Sequence, residues 1–294
     1  MPIPYDPHPQ FQDYAHPEKL VSAHWLSARL GTPGLRVVES DEDSLLYDIG
    51  HIPTAVRIDW RKDLNNHTIR DYITGEDFAA LMSSKGINRD DTVVIYGDKS
   101  NWWAAFTFWV FELFGHKDVR ILNGGRDAWV AEERDTSFDV LDYPTTYYPI
   151  IERNDTELRA FVGDILNSTN TTQLIDVRTE AEYTGNVENS TTLPFSGVIR
   201  GGHIPGAVNI PWEKAVHANA TFRTRTELDQ AFTEVLDKEE LITYCQIGER
   251  AAHTWFTLKY LLGHEKVRNY DGSWSEWGNM VRMPIALGKE PGSL

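Results

Sequence analysis

Apolar residues along this chain fall into short runs and longer stripes, and the two kinds alternate. Leu174–Val177, Val208–Ile210 and Leu241–Tyr244 are short runs flanked by turn-forming or polar residues, which predicts buried strands. Between and after them the apolar positions change period. Ala252, Trp255, Phe256, Leu258, Leu261 and Leu262 recur at spacings of three and four, the mark of a helix, and Gly263 supplies its stop. Phe106, Trp109, Val110 and Leu113, stopped by Gly115, predict a matching helix earlier in the chain. Strands alternating with helices imply an α/β fold whose sheets are mostly parallel and covered by helices on both faces.

The pattern is written twice. Gly50-His51-Ile52-Pro53-Thr54-Ala55-Val56 returns as Gly202-His203-Ile204-Pro205-Gly206-Ala207-Val208. Residues 93–105 (VVIYGDKSNWWAA) lie over 241–252 (LITYCQIGERAA), and Gly115-His116-Lys117-Asp118-Val119 returns at the same offset as Gly263-His264-Glu265-Lys266-Val267. Asn123-Gly124-Gly125 with Trp129 is answered by Asp271-Gly272-Ser273 with Trp277. Matches that keep their order indicate duplication. The division this implies is an arm over 1–20, a first domain over 21–143, a linker over 144–156 and a second domain over 157–294. His51 and His203 stand in both copies, so they read as structural turn residues.

Composition narrows the chemistry. With 41% hydrophobic residues and ten tryptophans among 294 residues, the chain can fill two cores. A formal net charge of −16 disfavours binding to nucleic-acid phosphates, which requires a basic surface. A single cysteine excludes an internal disulfide and a cysteine-rich zinc site. The proline-rich start, MPIPYDPHPQFQDYAHPEKL, has no basic and apolar leader pattern and reads as an arm lying on or off the surface. No apolar run reaches the roughly 18 residues of a membrane span. A soluble, cytoplasmic protein is expected. Asn-x-Ser/Thr triplets begin at Asn66, Asn154, Asn167, Asn170, Asn189 and Asn219 and read as polar loops.

The one cysteine, Cys245, follows a predicted strand and precedes a predicted helix. Ligand sites of α/β sheets lie at such strand ends. Helix N–H groups and the helix dipole favour a thiolate there. Successive amides from Gln246 to Arg250 form a cradle for an anion, Gly248 permits the turn, and Arg250 adds a cation. Glu249 works against a thiolate unless it points outward. The first copy has Gly97 at the position of Cys245, followed by Asp98, so it retains the frame without the nucleophile and reads as a cover for the active loop.

The two GHIPxAV segments, the cysteine loop in the second copy alone and the closing Asp271-Gly272-Ser273-Trp274 segment resemble the tandem-domain rhodanese sulfurtransferases, from about Val21 to Leu287. The resemblance implies two rhodanese-like domains and transfer of a sulfane sulfur from thiosulfate, through a persulfide on Cys245, to cyanide or a thiol. Neither a metal nor an organic cofactor is implied. It also separates the chain from cysteine phosphatases of related fold. Those use a C-x5-R loop, whereas Cys245 and Arg250 are spaced C-x4-R. Donor contacts fall on Gln246, Ile247, Gly248, Glu249 and Arg250, with Arg178 and Arg200 as further cations. Arg178 has a second reading as the partner of a carboxylate such as Glu182, and Arg200 as a solvated surface residue. Trp60, Arg61 and Trp274 are candidate pocket walls, against a plain packing role. Gln246 and Ile247 match neither the basic pair of the mitochondrial thiosulfate enzymes nor the small pair of the mercaptopyruvate enzymes. Donor choice therefore stays open between thiosulfate and 3-mercaptopyruvate, beside a non-enzymatic persulfide carrier. The oligomeric state is not legible.

Overall fold

A computed structural model describes residues 3–186 and 197–294; the triplet at Asn189 lies outside them. The chain divides into two compact units, Met1–Asn154 with Val216–Phe222, and Asp155–Ala215 with Arg223–Leu294.

The first unit is built on five parallel strands, β1 (Leu20–Val21), β2 (Leu35–Glu39), β3 (Ala55–Arg57), β6 (Thr92–Tyr96) and β7 (Asp118–Leu122), in the order β1-β7-β6-β2-β3. A small antiparallel pair, β4 (Asn65–Asn66) and β5 (Asp71–Tyr72), lies outside that sheet. The helix Trp102–Leu113 is apolar nearly all round, and all its residues but Trp102 and Glu112 are buried. A helix of that composition has no solvent face to offer and must be enclosed.

The second unit repeats the plan with β8 (Thr172–Asp176), β9 (Val208–Asn209), β10 (Glu240–Tyr244) and β11 (Val267–Asn269), in the parallel order β11-β10-β8-β9. The edge corresponding to β1 shrinks to a single bridge between Arg159 and Asn269. The register is shared: Tyr96 stands opposite Glu39, and Tyr244 opposite Asp176. Each tyrosine hydroxyl accepts the N–H of the isoleucine in its GHIP turn, Ile52 at 2.8 Å and Ile204 at 3.1 Å. His51 and His203 also occupy equivalent places. Each is buried, stacks on a tyrosine at 3.8 or 3.6 Å and bonds that tyrosine's carbonyl through Nδ1.

The N-terminal arm lies on the protein rather than off it, for Phe11 and Tyr14 are buried and Asp6 binds the N–H and hydroxyl of Ser22. The fully buried Arg120 clamps the arm by donating to the carbonyls of Ile3 and Pro4. The helix predicted over 252–262 is α-helical over Glu249–Phe256 and π-helical over Thr257–Leu261. The Thr257 hydroxyl takes the carbonyl of His253, and Leu262 N–H reaches back five residues to Thr257. Such back-bonding by a threonine loosens the α ladder, and apolar spacing does not register it. Among the described residues no helix is long and apolar enough to cross a membrane.

Candidate active site

Cys245 emerges directly from the end of β10, and the helix Glu249–Phe256 begins four residues later. The chain turns between them at Gly248, whose φ of 105° and approach to Asp271 leave no place for a Cβ. The loop is held from one side by the segment 269–275. Cys245 N–H donates to Ser273 Oγ at 3.1 Å, Trp274 N–H to the Cys245 carbonyl at 3.0 Å, and Ser275 N–H to the Gln246 carbonyl at 3.0 Å. Asn269 Nδ2 reaches the Gly248 carbonyl at 3.2 Å, and Arg159 clamps Asp271 through Nε at 2.8 Å. These backbone groups would otherwise be buried without partners, so the second strand-end loop fixes the first.

The sulfur itself has two polar neighbours of opposite character. Gly248 N–H donates to Sγ at 3.2 Å, as a cradle should. The thiol in turn donates to Glu249 Oε2 at 3.3 Å. Both Cys245 and Glu249 are closed to solvent. Burial first, and then the Glu249 charge, push the Cys245 thiol up to about 12, although Arg250 and the N–H groups of Ala251 and Gly248 pull the other way. Desolvation of the fully buried sulfur thus works against the thiolate that the helix start favours. Of the two readings of Glu249, the geometry shows the one in which it faces the sulfur and works against a thiolate.

Arg250 lies in the same buried cluster. Its Nη1 and Nη2 grip Glu182 in a bidentate pair at 3.0 and 3.2 Å, and its Nε meets Glu249 Oε1 at 3.2 Å. Burial works against the guanidinium charge, but Glu249 and Glu182 outweigh it and hold the group raised. For Glu182, burial is overcome by Arg250, which brings the carboxyl down to about 2. Glu182 also caps its own helix by accepting from Thr179 N–H and Oγ1.

The other expected cations are occupied elsewhere. Arg178 pairs with Asp176 at 2.6 Å rather than with Glu182, donates to the Gly202 carbonyl at 2.7 Å and lies over the Trp274 ring. Arg200 is not a solvated surface residue. Its guanidinium collects the carbonyls of Trp277, Gly278, Met280 and Met283 at 2.7 to 3.1 Å. Trp274 is buried in the same unit, with Nε1 donating to the Arg200 carbonyl. Gln246 is buried, and its Nε2 makes no hydrogen bond among the described residues. Ile247 is the only loop residue with appreciable exposure. Trp60 and Arg61 belong to the first unit, where Trp60 stacks on Trp103 at 3.7 Å and Arg61 is exposed. Sequence reasoning did not find Ser273, Asp271 or Glu182 as supports of the loop. The recurrence of Asn123-Gly124-Gly125 as Asp271-Gly272-Ser273 was the available signal for two of them.

A parallel sheet carrying a buried cysteine at a strand end, above a glycine turn and a helix start, defines an α/β protein with a single-thiol active loop. A rhodanese-like domain profile matches residues 22–132 and again 161–280. The chain belongs to the rhodanese family. It is 63% identical over 292 residues to a thiosulfate sulfurtransferase of Corynebacterium glutamicum, covering 98% of this chain and 97% of that one. It is 49% identical over 284 residues to the sulfur carrier protein TtuD of Thermus thermophilus, covering 94% and 99%. Among solved structures, SseA of Escherichia coli, described as a 3-mercaptopyruvate sulfotransferase, matches with a TM-score of 0.73 at 28% identity, over 87% of this chain and 98% of that one.

Proposed function

We propose that this protein is a sulfurtransferase that moves a sulfane sulfur from thiosulfate to cyanide or a thiol through a persulfide on Cys245. The observation that carries the reading is the sulfur's position. The chain's one thiol sits at a strand end with Gly248 N–H on Sγ, inside a six-residue loop that closes on Arg250. The C-x4-R spacing is one residue short of a phosphatase loop, and the similarity to the C. glutamicum enzyme supports thiosulfate as donor. Cys245 attacks the outer sulfur, sulfite leaves, and the acceptor then takes the sulfur from the persulfide. The Gly248 and Ala251 amides serve the persulfide anion as they serve a thiolate. Gln246 Nε2, without a partner among the described residues, is a ready donor for a bound oxyanion. No cofactor enters this scheme, and the site of action is the cytoplasm.

A persulfide carrier is the second reading, favoured by the likeness to TtuD and by a thiol that rests protonated. Mass spectrometry of the intact protein after exposure to thiosulfate should show one added sulfur, removable by cyanide and missing in Cys245→Ser. A Cys245→Ser protein that still gained sulfur would falsify the assignment. Multiple-turnover thiocyanate production separates enzyme from carrier, and kcat/KM for thiosulfate against 3-mercaptopyruvate identifies the donor.

A further inference from the structure

The buried carboxylate on the sulfur has no place in the scheme above. Glu249 is wholly enclosed, its Oε2 accepts from the Cys245 thiol at 3.3 Å, and its Oε1 is fixed by Arg250 Nε at 3.2 Å. Arg250 is itself locked by the bidentate grip of Glu182, so the carboxylate cannot swing away without breaking a buried ion pair. We propose that Glu249 is a catalytic residue, the base that takes the Cys245 proton as the sulfur attacks its donor. This rests on the sulfur-transfer reading.

Three observations lead there. Sγ and Oε2 stand 3.3 Å apart, within hydrogen-bond reach for a sulfur donor, as a general base requires. Burial, and then the Glu249 charge, push that thiol up, so a group on the spot able to take its proton eases formation of the nucleophile. Charge is the third consideration. Glu182, Glu249 and Arg250 sum to a single negative charge beside the sulfur, which opposes an anionic donor. Moving the proton onto Glu249 relocates that charge to the nucleophile itself and leaves the carboxyl neutral.

The step balances. The proton passes from Sγ to Glu249 Oε2, and the freed sulfur pair forms a bond to the outer sulfur of thiosulfate. The S–S bond of thiosulfate breaks, and its pair leaves with sulfite. Cys245 carries an anionic persulfide and Glu249 the proton. When cyanide takes the outer sulfur, the pair returns to Sγ and Glu249 gives the proton back.

The rival role is structural: Glu249 only anchors Arg250 and holds the thiol's pKa high. The two roles predict opposite signs. In Glu249→Gln, which keeps the shape and an oxygen for Arg250, the base role predicts that persulfide formation and alkylation of Cys245 by iodoacetamide both slow by about 100-fold or more near neutral pH. Both rates should then climb with pH as hydroxide replaces the missing base. Equal or faster alkylation in Glu249→Gln overturns the proposal, because removing a mere anchor leaves a more acidic thiol. If Glu249→Gln fails to fold, Glu249→Asp, which withdraws the acid by one methylene, is read in the same way. Wild-type protein that is alkylated at Cys245 yet never gains sulfur would sink the transfer reading, while the alkylation comparison still decides for Glu249.

Discussion

The loops 97–102 and 245–250 occupy the same place in two copies of one fold, yet only one can hold a thiol. In the first unit, a Cβ at Gly97 would lie 2.1 Å from the Ser40 carbonyl, so the backbone is too close for any side chain. Its amide N–H is satisfied from within the loop, by Asn101 Oδ1 at 3.1 Å. In the second unit the equivalent amide, that of Cys245, is satisfied from outside, by Ser273 Oγ at 3.1 Å. Ser273 takes the place of Gly125, where a Cβ would strike Asn101 Oδ1 at 2.3 Å. The exchange is reciprocal. With the hydrogen bond supplied by Ser273, position 249 is released from propping the loop, and it carries the glutamate that meets the sulfur. The first unit's loop instead runs through left-handed residues at Lys99, Ser100 and Asn101.

The comparison can be broken most forcefully at Arg250, which aligns with Trp102. Arg250→Met leaves Glu182 and Glu249 buried without their cation and should cost about 3–5 kcal/mol, read as a lower urea midpoint for the second unit alone. The pH responses should also diverge. Glu182 is depressed from 4.5 to about 2, so its stabilisation, roughly 3 kcal/mol, is present above about pH 4.5 and lost as pH falls toward 2. In the first unit, burial, followed by the Asp41 charge, raises Asp98 from 3.8 to about 7, so stability is lost as pH rises through that interval. Unfolding of each unit followed across pH should show the opposite slopes, and Asp98→Asn should flatten only the first.

Transplanting the cysteine is a smaller perturbation. Gly97→Cys should destabilise the first unit by at least the roughly 1–3 kcal/mol of an overpacked site, and in a Cys245→Ser background it should gain no sulfur by mass spectrometry. The mildest change is Ile247→Lys, at the loop's exposed position. It should raise kcat/KM for thiosulfate by up to about tenfold, near 1.4 kcal/mol, if charge at the loop mouth limits an anionic donor.

These contrasts also mark how far the sequence could be read. Strand order of appearance, the duplication and the parallel sheets were legible because apolar runs and repeated GHIPxAV turns report local structure directly. The position of Cys245 was legible for the same reason. The ionic state of the site was not. Arg250 reads as a donor-binding cation, and Arg178 and Arg200 read either so or as a carboxylate's partner and a surface residue; the actual pairing with Asp176, with the carbonyls of 277–283 and with Glu182 depends on chain segments that meet only after folding. Which way Glu249 turns was not legible, because helix-start logic sends acids outward, whereas the support of the loop by Ser273, one strand further along the chain, leaves this one free to face the sulfur.

The enclosure of Cys245 has one more consequence, for the lifetime of the protein. A chain with one cysteine has no neighbouring thiol to rescue a sulfenic acid, so peroxide damage at that atom would run on to irreversible sulfinic and sulfonic forms. Susceptibility to that damage follows exposure and thiolate character; the sulfur has no exposure, and burial works against the thiolate. Keeping the thiol shut away lets a nucleophile without a spare endure between encounters with its substrate.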